Sequence, residues 1–310
     1  MPPGTMTSAT MTTATTTTAT TAVDSTAAGT IPSNAAPAKQ FTFDPQALTP
    51  FPAIALKALK LMAGTDTSLL DLCNLIRSDP AFSTEILKIA NSPLVAFSRN
   101  VTNVMQASML LGFQRLRNLV ITIGLKAYLK GSSTPVMRLC WRHSVACALI
   151  AERSANWSLL DKDFAYTAGI LHDIGRIALA TLMPVPYAAV IERGADQPQD
   201  FLQSELDLCG IDHCQAGRSL VTAWNLPDAF LDVTALHHTA DCQLPGTTAL
   251  LPPACALADA LGFAVIRCRV APVYSEILAR FPEAARKRFP QDAKELASEI
   301  DHEIKLLESV

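Results

Sequence analysis

Apolar and polar positions along this chain keep the period of the α-helix almost everywhere after residue 41. In TSLLDLCNLIRSDP, Leu69, Leu72, Cys73 and Ile76 recur at helical spacing and predict one apolar stripe. Thr67 or Ser68 stands where a helix N-cap belongs, and Asp79-Pro80 ends the helix, since proline disfavours helical geometry in the residue before it. AFSTEILKIANSP reads as the next helix, stopped at Asn91-Ser92-Pro93. Thr102 then caps VMQASMLLG, Gly112 interrupts, and residues 113–128 form a long amphipathic helix with Arg115, Arg117 and Lys126 on a solvated face. After a loop at 131–135, helices are predicted over 136–156, 163–182, 199–208, 215–224, 227–237 and 254–261. At 292–309, Leu296, Ile300, Ile304 and Leu307 share a face, as in a helix packed within the chain rather than a dimerisation helix. No segment alternates with period two and no internal repeat is visible. The fold class is all-α.

Composition sharpens this picture at one end. Residues 1–40 are Thr/Ala-rich low-complexity sequence, with Asp24 the only charge before Lys39, and predict a disordered tail. The remainder divides into a helical region over 41–270 and a C-terminal helical extension over 271–310. With 49% hydrophobic and 17% charged residues, a substantial core is available, and the net charge of -3 supplies no basic field for nucleic acid or an anionic membrane. Aromatic residues are 6%, too few for a base-stacking platform. No apolar run is long enough to span a bilayer, and no signal peptide is visible, so a cytoplasmic location is expected. The eight cysteines form no C-x-x-C pair, and most lie inside apolar helical patterns as reduced thiols. Cys214, beside His213, is the one weighed as a metal ligand.

The chemistry lies in the histidines. Five of six fall in one ordered series: His143, the pair His172-Asp173, His213, and the doublet His237-His238, with Asp259 following in an apolar helix. Imidazoles and carboxylates drawn from separate helices are how helical proteins build a metal centre. His143, His172, Asp173 and Asp259 offer two nitrogens and two carboxylates to one divalent ion. His213, His237 and His238 could hold a second ion or face a phosphate. Alone, His143 reads as a hydrogen-bonded core histidine, and Asp259 reads equally as a buried hydrogen-bonded acid.

The words around these residues resemble a known family. LHDIG, W-x-H-S at 141–144, His213 before Ala216-Gly217, W-N-L-P at 224–227 and the HH doublet follow the order of the HD superfamily. FPAIALKAL, IRSDPAFSTEILKIANSP and ASMLLGFQRLRNLV are similar to its HDOD branch, the HD-related output domain of bacterial signalling proteins. The resemblance spans roughly residues 49–261. It implies two helical lobes, an HDOD-specific bundle at 41–130 and an HD-like lobe at 131–270. It also implies primary metal ligands at His143, His172, Asp173 and Asp259, and second-metal or substrate-side positions at His213, His237 and His238.

Two departures bear on activity. The active cyclic-dinucleotide hydrolases of the superfamily carry a glycine-tyrosine-proline word after the doublet, where this chain reads HHTADCQLPG. Their frequent lysine after HD is Arg176 here, bulkier and planar, suited to clamping a phosphate. The resemblance therefore implies a stand-alone signalling module that binds protein partners, with a nucleotide second messenger as a further candidate ligand, and without hydrolysis. The alternative is a metal-dependent phosphohydrolase using a Mn, Fe, Mg, Ni or Zn ion. In it Asp173 and His213 would be catalytic, and Arg176, His237 and His238 would face the phosphate. A metal- or redox-sensing scaffold using Cys214 is a third reading.

Overall fold

Short polar side chains set the helix starts. In the computed structural model, residues 43–61, 68–92, 101–130, 134–194, 200–238, 245–270 and 273–308 are described; the predicted tail at 1–40, Thr67 and Pro93 lie outside them. Helix α1 spans Ala53–Lys60. Helix α2 (Leu69–Arg77) opens on a reciprocal capping box between Ser68 and Asp71. Asp79 caps α3 (Pro80–Ala90), whose proline sits in the first turn, where no amide is needed. Asn91 then ties the end of α3 to the next segment: its Nδ2 donates to Val101 O at 2.9 Å and its Oδ1 accepts from Val101 N at 2.8 Å.

Helix α4 (Val104–Lys130) breaks at Gly112, whose φ of 75° and ψ of 165° are not helical. Its cap is Asn103, which accepts from Gln106 N; Thr102 instead bonds the Gln106 side chain. Helices α1, α2 and α3 all pack on α4, which makes the first lobe. Ala55, Leu59, Leu72, Ile76, Ile86 and Leu116 fill its interior.

The second lobe is arranged around α5 (Pro135–Trp157), buried along most of its length. Around it run α6 (Lys162–Leu171), α7 (Ile174–Leu182), α8 (Pro184–Arg193), α9 (Asp200–Cys209), α10 (His213–Ala223), α11 (Ala229–Leu236) and α12 (Leu251–Ala258). Helices α13 (Tyr274–Leu278), α14 (Glu283–Arg286) and α15 (Ala293–Glu308) complete the chain. No β-strand occurs among the described residues, and no single described helix is long and apolar enough to cross a membrane.

Three predictions need correction. The helix expected over 163–182 is two helices, broken at His172-Asp173. Helix α8 lies where no helix is predicted; Pro184 and Pro186 both fall in its first turn, where proline is tolerated. Of the three cations assigned to solvent, only Arg115 is exposed. Arg117 is buried near Asp163 and Asp161, and burial lowers its pKa. Lys126 donates to Leu307 O and Glu308 O, the terminal carbonyls of α15.

Helix α15 packs within the chain. Its buried face is Leu296, Ile300, Ile304 and Leu307. Its polar flank meets α5, where Arg142 pairs with Asp301 and Glu308, and Arg153 with Glu299 and Glu303.

Candidate metal centre

The break between α6 and α7 is what lets two adjacent residues serve one point. On an unbroken helix their side chains diverge by about 100°. Here the His172 ring turns back on its own helix, with Nδ1–H donating to Gly169 O at 2.8 Å. Asp173 leaves helical geometry at φ -104° and ψ 18°. Both are sealed from solvent, at 0% and 1% exposure.

Close packing holds the break in place. A Cβ on Gly169 would stand 2.4 Å from Ala148 Cα, so α6 lies directly against α5. A Cβ on Gly175 would stand 1.9 Å from His213 O, so the first turn of α7 touches the first turn of α10. Asp212 caps α10 by accepting from Gln215 N, which fixes His213 at its start.

Four imidazoles converge on Asp173. His143 Nε2 lies 3.4 Å from Asp173 Oδ2 and 3.2 Å from His172 Nε2. His213 Nε2 and His237 Nε2 lie 3.3 Å and 3.1 Å from Asp173 Oδ1, and 3.3 Å from each other. The opposite nitrogens are anchored. His213 Nδ1 donates to Glu205 Oε2 at 2.6 Å, and His237 Nδ1 to Val233 O and Thr234 O, each at 3.1 Å. His143 Nδ1 faces Phe263 O at 3.2 Å. Such anchoring fixes the tautomer and leaves the Nε2 lone pairs aimed inward.

Acceptors therefore face acceptors in a dry site. With its proton on Nδ1, His237 presents a lone pair to Asp173 Oδ1. Asp173 Oδ2 accepts no aligned hydrogen bond. Protons relieve part of this. Burial and Arg176 oppose charging of His213, yet Glu205, Cys214 and Asp173 together lift the pKa to about 10; Asp259 and Asp173 likewise raise that of His143 against burial. Burial holds His172 well below the usual imidazole value and also lowers His237. One donor proton on His213 cannot align with both His237 Nε2 and Asp173 Oδ1, so a cation is the natural complement. The donor set suits one: Asp173, His213, His237 and His238 form one group, and His143, His172 and Cys255 another, with ligand atoms within 4.8 Å in each.

One cation is already built in. Arg176, 4% exposed, sets its Nε 2.7 Å from Asp173 Oδ2 and its Nη1 3.7 Å from Glu205 Oε1. The guanidinium lies 4.7 Å from the Phe201 ring centroid, a cation–π contact. Despite burial, Arg176 and the neighbouring histidines hold Asp173 well below the usual carboxylate range.

Asp259 stands elsewhere than its sequence role implied. Its Oδ1 lies 3.2 Å from Nδ1 of His143, on the outer side of the ring, and 19% of its side chain is exposed. It belongs to neither ligand group. Nor does Cys214, whose Sγ is 3.7 Å from His213 Nε2. His238 is half-buried, with Nε2 3.4 Å from Arg176 Nη2.

Beyond His237, His238 and Asp259 opens a chamber of about 900 Å³, lined also by Arg193, Arg267, Arg269 and Arg280. Sequence reasoning missed these arginines, which are spread over three segments. It also missed Glu205 and Cys255, although each carried a signal. Glu205 repeats at i+4 between Phe201 and Cys209 on a core stripe, and Cys255 lies one turn before Asp259.

Comparison with known proteins places this arrangement. A model of the HDOD domain matches residues 48–240, more than half of the chain. The chain belongs to the HDOD family. An uncharacterised protein of Treponema pallidum (strain Nichols) is 23% identical over 192 residues, or 60% of this chain, and the chain spans 37% of that relative's length. The crystal structure of an HDOD domain protein of unknown function from Geobacter sulfurreducens superposes with a TM-score of 0.67 at 22% identity, covering 84% of this chain and 91% of that one. A candidate phosphohydrolase from Shewanella amazonensis SB2B gives 0.61 at 20% identity, covering 85% and 93%. A candidate signal transduction protein from Marinobacter aquaeolei VT8 gives 0.61 at 22% identity, covering 84% and 58%. At these identities the likeness establishes the all-helical HDOD fold.

Proposed function

We propose that this HDOD protein is a regulatory module that works by binding, through a signalling-protein partner and a phosphorylated ligand such as a nucleotide, and does not hydrolyse phosphoesters. The contact between Arg176 and Asp173 carries the reading. In a metal-dependent phosphohydrolase, the acid next to the ligand histidine must keep its oxygens for the ion and the attacking water. Here Oδ2 of Asp173 is paired with a buried guanidinium that cannot be deprotonated. The arginines of the adjoining chamber favour an anionic occupant, because guanidinium groups bind phosphate oxygens in pairs.

A divalent ion, when bound, would supply Lewis acidity and a structural cross-link. Two donor groups would be available to it, Asp173 with His213, His237 and His238, and His143 with His172 and Cys255. Their inward-aimed nitrogens favour the second reading, a metal-dependent phosphohydrolase with Asp173 and His213 acting on water and phosphate.

Both readings are tested on one purified preparation. Elemental analysis is paired with incubation of mono- and cyclic dinucleotides with added manganese at high protein concentration. Intact nucleotide, with saturable binding lost on Arg267→Ala plus Arg280→Ala, supports the module. Turnover abolished by Asp173→Ala supports the hydrolase and removes the module reading.

A further inference from the structure

Helix α12 presents two candidate ligands one turn apart, Cys255 and Asp259, to opposite nitrogens of one imidazole. Asp259 faces Nδ1 of His143, the side that also meets Phe263 O. Cys255 Sγ lies 3.6 Å from Nε2, the side where His172 Nε2 stands 3.2 Å away. Asp173 Oδ2, paired with Arg176 Nε at 2.7 Å, lies 3.4 Å and 3.7 Å from the same two nitrogens but belongs to the other donor group. The donor atoms of His143, His172 and Cys255 thus lie within 4.8 Å of one another in the interior, and Cys255 is buried with them.

Their separations can be compared with those a metal requires. Zinc-class ions hold nitrogen at about 2.0–2.1 Å and sulfur at about 2.3 Å. A regular tetrahedron built on those bonds has nitrogen–nitrogen edges of about 3.3 Å and nitrogen–sulfur edges of about 3.5 Å. The distances of 3.2 Å and 3.6 Å match both edges. Asp259 cannot join without turning the His143 ring and giving up the Phe263 carbonyl.

We infer that Cys255, rather than Asp259, is the ligand at this end of α12, and that His143, His172 and Cys255 form a thiolate site for a soft divalent ion of the zinc class. Coordination breaks the S–H bond of Cys255, and the proton passes to solvent as the metal–sulfur bond forms. A thiolate selects against manganese and magnesium, which prefer oxygen. Asp259 is then a positioning residue that orients His143 through Nδ1. The inference shares with the proposed function the premise that the centre serves binding.

Cobalt(II) titration of the full chain under anaerobic, reducing conditions tests the assignment. The expected spectrum has an intense near-ultraviolet sulfur-to-cobalt charge-transfer band with visible bands of tetrahedral strength. Cys255→Ser should lose the charge-transfer band and bind cobalt at least tenfold more weakly, while Asp259→Asn and Cys214→Ser keep the band. Cys255→Ala is the second variant, and circular dichroism checks that each protein folds. Cobalt binding without the band, a band that survives in both Cys255 variants, or no cobalt binding at all would overturn the assignment. A sulfur-free cobalt site would leave the regulatory reading intact. Phosphoester turnover by zinc-loaded protein would sink that reading and leave the sulfur spectrum unchanged.

Discussion

Arg176 decides the character of the centre at the scale of single residues. Asp173 and Glu205 are both buried acids, and this guanidinium faces them both. Deleting it leaves Asp173 without its guanidinium partner in the interior, a change that costs about 3–5 kcal/mol. We expect Arg176→Met to lower the urea unfolding free energy by that amount, read at pH 7. Arg176→Lys should recover only part of the loss, because an ammonium cannot reach both acids or lie over Phe201 as a plane. Equal stability of Arg176→Met and the parent would show that the pairing contributes nothing. Much of this site was legible in the sequence: His143, His172, Asp173, His213 and His237 do meet. The place of Asp259 was not, because spacing assigns a residue to a helix face and cannot say which nitrogen of a ring it meets.

At the scale of elements, the fold depends on close contacts that no hydrophobic pattern reveals. Helices α7 and α10 touch at Gly175, where a methyl group would meet the backbone of His213 and Gly217. Backbone cannot rotate away as a side chain can, so Gly175→Ala should cost at least the upper end of ordinary overpacking, about 3 kcal/mol, in thermal or urea melts. Helix α15 offers a contrast between apolar and ionic anchoring. Ile300→Ala should cost about 2–4 kcal/mol, whereas Arg153→Ala, at a part-exposed pair, should cost about 1 kcal/mol or less. Urea denaturation of the two variants checks the order. Periodicity found α2, α3, α5, α9, α10 and α15 to within a few residues. It failed at α8, where first-turn prolines mimic breakers, and at the α6–α7 break, which is set by the contact of His172 with Gly169 and by tertiary packing.

At the scale of the whole molecule, the lobes and the C-terminal helix meet around one half-buried acid. Glu152 of α5 lines a pocket with Arg115 of α4, Asp163 and Tyr166 of α6, and Glu303 of α15. Burial, with Asp163 and Glu303 adding like charge, raises its pKa to about 7. The folded state therefore holds this proton more tightly than the unfolded chain, whose value is the ordinary 4.5. Stability from this group is complete below pH 4.5 and is lost as pH rises through 7. Glu152→Gln should flatten that part of the profile, gaining about 1–2 kcal/mol over the parent at pH 8 and nothing at pH 4. Paired urea melts at the two pH values measure the difference, and a constant offset would refute the assignment. Because Glu152 belongs to α5 while its neighbours belong to α4, α6 and α15, a local change of charge is felt across the domain.

One consequence of Arg176 reaches beyond stability. The positive charge that neutralises Asp173 is encoded in the chain and arrives with it from the ribosome. Neutralising that buried acid therefore does not have to wait on an ion from outside the chain.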